Sequence, residues 1–227
     1  MVGAAGFELA TSCFRSRRAT GLRYAPTQAR SLYRLWCMMQ AMALLEIETK
    51  ARVRDREELI HNLSALGCEL SAPTRQDDTV YGRKPGDLAT FLQNDVFLRI
   101  RIQDDGTTVL TAKRPVRKAG DVLVKYEHEV LVSSADEARA MLVLMGFSEA
   151  VRVVKVRRKG HVNGYEACLD DIEGLGTFIE LEQMGAQEDA ERIQAEMRAF
   201  LSSLGVAPED AVTKGYDVLM LECESVR

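Results

Sequence analysis

The sequence predicts an α+β domain, a mostly antiparallel eight-stranded β-barrel with covering helices. Three observations carry that expectation. Eight short strand-like runs recur between residues 43 and 184, with tight-turn pairs such as Asp105-Gly106 and Asn163-Gly164 between them. Three segments of helical spacing interrupt or follow them, each stopped by a glycine. Nearly every strand repeats charged residues on one face.

In chain order, residues 43–54 alternate as a strand. Residues 55–66 then space Leu59, Ile60, Leu63 and Leu66 as a helix ending at Gly67. Strands are expected at 79–81, 96–102, 107–113 and 122–132. A second helix over 135–145 puts Ala138, Met141, Leu142 and Met145 on one face before Gly146. Strands at 152–159, 165–171 and 177–184 follow. A long amphipathic helix over 188–204 is built on Ile193, Met197, Phe200, Leu201 and Leu204, and Gly205 closes it.

Bulk composition narrows the class. The 227 residues are 46% hydrophobic and 28% charged, enough apolar material for a packed core. A net charge of -4 argues against a general nucleic-acid binder. No apolar run reaches the roughly 18 residues that span a bilayer. Cys13, Cys37, Cys68, Cys168 and Cys223 show no CxxC spacing and are expected to be reduced and packed, so a cytoplasmic location is expected.

Residues 1–40 differ from the rest. They hold Arg15, Arg17, Arg18, Arg23, Arg30 and Arg34 against one acid, Glu8. A targeting presequence and a nucleic-acid-binding arm both fit that bias. The run from Gly6 to Pro26, however, resembles a translated transfer-RNA gene, with Gly6-Phe7-Glu8 as the reading of its GGTTCGAA stretch. Met38, Met39 and Met42 offer alternative starts, so the arm is expected to be spurious or disordered and residues 42–225 to be the functional domain.

The charged faces are the informative feature. Glu46, Glu48, Lys50 and Arg52 share one face of the first strand. Arg99 and Arg101 do so in a later one, as do Thr111 with Lys113, and Lys125 with Glu127 and Glu129. Lys155, Arg157 and Lys159 form another row, and Glu180 alternates with Glu182 across Leu181. A strand with one face in water gives this pattern too. Repetition over so many strands, with apolar helix stripes left to cover the other face, points instead to charges facing a hydrated interior. Dry burial of so many ions is prohibitive. A polyanion with its metal ions resolves the cost. Arg99, Arg101, Lys113, Lys125, Lys155 and Arg157 supply six cations suited to phosphate. Glu46, Glu48, Glu180 and Glu182, with Asp170 or Asp171, are hard oxygen ligands suited to Mg2+ or Mn2+. Cations beside carboxylates support metal-assisted phosphoryl chemistry.

Glu46-Ile47-Glu48-Thr49-Lys50 resembles the ExExK signature that opens CYTH domains. Later pieces resemble the family in order: Leu98-Arg99-Ile100-Arg101, Thr111-Ala112-Lys113, Lys125 to Glu129, Lys155-Val156-Arg157, Asp170 to Glu182, and Gly215-Tyr216-Asp217-Val218-Leu219. Gln76-Asp77-Asp78-Thr79-Val80-Tyr81 resembles the QxDxY stretch of the class IV adenylyl cyclase-like branch. The resemblance spans about residues 42–222 and implies a triphosphate tunnel. It implies metal ligation by Glu46, Glu48, Asp170, Glu180 and Glu182. It implies triphosphate binding by Lys50, Arg99, Arg101, Lys113, Lys125, Lys155 and Arg157, with Lys50 and Arg157 catalytic. Glu127 and Glu129 match an acidic pair of unassigned role, and Arg114 and Arg117 are placed in a loop by the tunnel mouth, where solvated cations are the plainer reading.

Other chemistries are set aside. His61, His128 and His161 are dispersed and lack a Cys partner at ligand spacing. No serine sits in a GxSxG elbow, and residues 82–86 lack the Walker spacing. The partner expected is a small triphosphate (ATP, tripolyphosphate or thiamine triphosphate), with neither nucleic acid nor membrane, in a monomer or homodimer. A cyclase like the class IV enzymes would turn ATP into cyclic AMP and pyrophosphate. A triphosphatase would release orthophosphate from inorganic or thiamine triphosphate, and a binding module would do neither. The alternatives share one tunnel.

Overall fold

The computed structural model describes residues 45–83, 96–115 and 124–225, and in them the alternation becomes nine strands and four α-helices. The strands are β1 Leu45–Arg52, β2 Thr74–Gly82, β3 Phe97–Gln103, β4 Thr108–Pro115, β5 Val124–Leu131, β6 Ser148–Val162, β7 Tyr165–Ile172, β8 Gly176–Gly185 and β9 Ala211–Val212. The helices are α1 Arg56–Ala65, α2 Ala135–Leu144, α3 Ala190–Ser203 and α4 Tyr216–Ser225. The N-terminal arm, residues 84–86 and Arg117, for which the sequence carries expectations, lie outside the described residues.

One antiparallel sheet holds all nine strands in the order β5-β4-β3-β2-β6-β7-β8-β1-β9. The nine exceed the expected eight by the two-residue β9 on β1. β1 pairs with β8 over its whole length, and it also meets β5 at the far end of the order through Glu46↔Lys125 and Ile47↔Val124. Hairpin chemistry fixes registers locally: Asn163 and Gly164 adopt φ 51 and 82, the left-handed pair of a tight β6–β7 turn.

The outer face of β1, β7 and β8 is apolar because its residues interleave with the charged ones. Ile47, Leu169, Ile179 and Leu181 pack there against Leu59 and Leu63 of α1 and Ile193, Met197 and Leu201 of α3. Side chains of this size each contribute about 1.5–3 kcal/mol when fully buried. Asp55 caps α1 by accepting from Glu58 N at 2.9 Å, and Ser134 caps α2 by accepting from Glu137 N at 3.2 Å. Gln194 of α3 donates to Glu48 O at 2.7 Å and so ties the helix to the centre of β1.

Two expectations are corrected. Only Ala138 and Leu142 of α2 are buried, against Tyr81, Ile100 and Phe147, whereas Met141 and Met145 are exposed. The seam is a narrow i, i+4 stripe, and the methionines lie beside it. The helix α4 was not expected at all. It packs on the charged face of the sheet, where Val80, Phe97 and Phe178 continue the rows of Asp78, Arg99 and Glu180. Among the described residues no helix is long and apolar enough to cross a membrane.

Candidate active site

The charged faces line one cavity of about 390 Å3. Its walls come from strands distant in sequence. β1 presents Glu46, Glu48 and Lys50, β8 presents Glu180 and Glu182, and β6 presents Lys155, Arg157 and Lys159. The opposite wall carries Asp78 of β2, Arg99 and Arg101 of β3, Lys113 of β4, and Glu127 and Glu129 of β5. Tyr216, the first residue of α4, also lines it. Alternation explains each row, and pairing sets rows side by side: Lys50 stands opposite Glu180, and Glu48 opposite Glu182.

The deepest charges form a closed network. Lys50 Nζ lies 2.7 Å from Glu180 Oε1, both all but buried. Arg157 donates from Nε to Asp170 Oδ1 at 2.6 Å, pairs with Glu180, and approaches Glu182 Oε1 at 3.7 Å. Lys155 Nζ reaches Asp170 Oδ2 at 3.3 Å. Burial opposes ionisation of Glu180, but Lys50 and Arg157 outweigh it and hold its carboxyl well below the usual range. Lys155 is also shifted down, which for a lysine is away from the charged form: burial and the neighbouring Arg157 lower it to about 8.

On the opposite wall Arg101 grips Asp78 with two bonds of 2.7 and 2.8 Å. Burial of Asp78 is outweighed by Arg101 and Arg99, so its carboxyl stays well below the ordinary range. Arg99 also donates to Glu127 at 3.2 Å and Glu129 at 3.1 Å, and Lys113 pairs with Glu127 at 2.5 Å.

Glu182 of β8 behaves differently. Burial, then Glu180, Glu46 and Glu48, push Glu182 up to about 8, against the pull of Arg157. Glu46, Glu48 and Glu182 thus concentrate hard oxygen donors where negative charge is in excess, a donor set that fits Mg2+ or Mn2+. Glu166 and Cys168 have donor atoms within 4.8 Å of Glu182, but burial holds the Cys168 thiol protonated, which disfavours a soft-metal site.

Most of the expected residues are therefore brought together. Asp170 is not among the cavity-lining residues: it is fully buried and its oxygens accept from Arg157 and Lys155. Lys125 occupies its expected strand, opposite Glu46 in register. Arg114 sits in β4, not in a loop, and stacks 5.0 Å above the Tyr126 ring. Asp78 and Tyr216 were not among the expected site residues. Asp78 shares the parity of Gln76 and Val80 and was findable by that signal. Tyr216 is in no strand, and no periodicity marks it.

The CYTH domain family model matches residues 44–216. The chain is 28% identical over 175 residues to MJ0240 of Methanocaldococcus jannaschii, which carries a provisional adenylate cyclase name, covering 76% of this chain and 97% of that protein. It is 23% identical over 175 residues to the adenylate cyclase CyaB of Aeromonas hydrophila, covering 77% and 87%. The solved PH1819 protein of Pyrococcus horikoshii superposes with a TM-score of 0.67 at 29% identity, over 78% of this chain and 98% of that one.

Proposed function

This chain belongs to the CYTH domain family, and on that premise we propose that it is a divalent-metal-dependent enzyme acting on a triphosphate. The sheet works as a barrel closed where β1 meets β5, and the substrate's phosphate chain lies in the tunnel. The observation that carries the proposal is the juxtaposition, in one cavity, of Lys50, Arg99, Arg101, Lys113, Lys155 and Arg157 with Glu46, Glu48 and Glu182. A site for anion binding alone would not need the carboxylates.

Arg99 and Arg101 align the chain through planar, bidentate contacts, and Lys113 and Lys125 add charge along it. Lys50, Lys155 and Arg157 are held rigidly by Glu180 and Asp170, so they reach the reacting phosphoryl group without reorganisation. Glu46, Glu48 and Glu182 would hold Mg2+ or Mn2+, with Glu180 and Asp170 next in the same set of carboxylates. The ion supplies neutralisation of charge on the phosphoryl oxygens when bound. The low exposure of these side chains excludes bulk water and strengthens each contact.

The first choice of reaction is that of the class IV adenylyl cyclases, ATP to cyclic AMP and pyrophosphate. Hydrolysis of inorganic or thiamine triphosphate is the second, which the same phosphate-suited cations support. Incubating the protein with Mg2+ or Mn2+ and each of ATP, tripolyphosphate and thiamine triphosphate decides between them. Cyclic AMP with pyrophosphate identifies a cyclase and orthophosphate a hydrolase. Tight binding without any product rejects the enzyme.

A further inference from the structure

Three buried polar atoms lining the cavity have no hydrogen-bond partner: Arg99 Nε, Glu127 Oε2 and Tyr216 Oη. Glu127 is answered by the ion pair with Lys113 at 2.5 Å. The two that remain are donors. A buried, unanswered hydroxyl is costly to a free protein unless something that binds there accepts from it.

Tyr216 is held firmly. Only 8% exposed, it packs its ring edge-on to Phe178 at 5.2 Å, beside Val153 and Ile172. A Cβ at Gly215 before it would meet the Asp217 carboxylate, which would have to move aside. The ring face is occupied as well: Lys50 Nζ lies 3.8 Å and Lys155 Nζ 5.1 Å from its centroid. Asp170 is near enough to help raise the tyrosine's pKa, after burial and Glu180. Its oxygens already accept from Arg157 and Lys155, and its approach to the hydroxyl falls short of hydrogen-bond geometry.

We infer that Tyr216 is a further substrate-binding and positioning residue: its ring holds the ammonium groups of Lys50 and Lys155, and its hydroxyl donates to a phosphoryl oxygen of the bound triphosphate. The inference rests on the triphosphate reading of the cavity. An anion is the fitting acceptor, since the other unanswered atom, Arg99 Nε, also donates. Tyr216 also joins the apolar end of the cavity, under α4, to its charged middle, so it marks how deep a phosphate chain can reach.

The test titrates full-length wild type, Tyr216→Phe and Tyr216→Leu with tripolyphosphate and magnesium by calorimetry, alongside ligand-free melting temperatures. Tyr216→Phe keeps the ring and deletes the donor. Its Kd is expected to rise about 10–100-fold, the range for a lost hydrogen bond to a charged group, with an unchanged or higher ligand-free Tm. A hydroxyl with a merely structural role would give the reverse. Tyr216→Leu is expected to weaken binding further, because it also frees the two lysines. A Tyr216→Phe Kd within about twofold of wild type, or a lowered ligand-free Tm, overturns the donor role. Equal Kd values for Phe and Leu overturn the positioning role. If wild type itself does not bind tripolyphosphate, the triphosphate reading falls and this inference with it.

Discussion

The two walls of the cavity use the same residue types and differ in how fully their charges are answered. Along β2–β5 positive and negative groups answer each other: Asp78 is clamped by Arg101, and Arg99 and Lys113 converge on Glu127. Along β1 and β8, Glu182 stands among Glu180, Glu46 and Glu48 and is driven up to about 8. The first wall must give up protein carboxylates when phosphate takes its arginines. The second would lower its free energy by taking in a cation. On the proposed function, binding of a metal triphosphate would be an ion exchange, with the phosphate chain satisfying one wall and the metal the other.

Deleting charge from the second wall should do most damage to turnover. Glu48→Gln is expected to lower kcat on the order of 10²–10³-fold, with tripolyphosphate binding largely kept and partial rescue at higher metal concentration. Steady-state assays across a magnesium series check this, and near-normal turnover at every concentration would remove Glu48 from the ligand set.

Breaking the first wall should act on binding and folding together. Arg101→Ala strips Asp78 of its bidentate partner and leaves a buried carboxylate, a loss of about 3 kcal/mol in chemical unfolding, along with weaker tripolyphosphate binding. Adding Asp78→Asn should return the stability without the affinity. If the double variant regained both, Arg101 would serve only Asp78.

A smaller, pH-dependent effect separates the walls. The native value of about 8 for Glu182 lies above the ordinary 4.5, so the folded state keeps a proton that the unfolded state loses. This contribution to stability is present below about pH 4.5 and is lost as pH rises towards 8. Glu182→Gln should therefore match wild type in ligand-free Tm near pH 4 and exceed it by a margin that grows as pH rises towards 8, to at least about 2–4 °C. A difference independent of pH would show that Glu182 is not under that repulsion. The smallest effect is expected from starting the chain at Met42: activity and Tm should stay unchanged, and loss of folding would make the arm part of the protein.

Much of this arrangement was legible in the sequence because alternation is local. The rows Glu46-Glu48-Lys50, Arg99-Arg101 and Lys155-Arg157 declare which residues share a face, and the interleaved Ile47, Leu169 and Ile179 declare where α1 and α3 must lie. Depth along a strand was not legible: Asp170 and Glu182 have the same inward parity, but one is sealed under Arg157 and the other lines the cavity. The Asp78–Arg101 clamp depends on the β2–β3 register, which no local pattern reveals. The helix α4 hid for a different reason. Its Val218, Leu219, Met220 and Leu221 pack against two apolar clusters, so its sequence is a continuous apolar run with no 3.6-residue period to detect.

The ion-exchange account is tested most directly by the thermal stability of the ligand-free protein against additions of tripolyphosphate with magnesium, and of sulfate at equal ionic strength. The account requires tripolyphosphate with magnesium to stabilise far beyond sulfate, by about 2.7 kcal/mol at 100 times its Kd. Stabilisation by tripolyphosphate no greater than that by sulfate would contradict it.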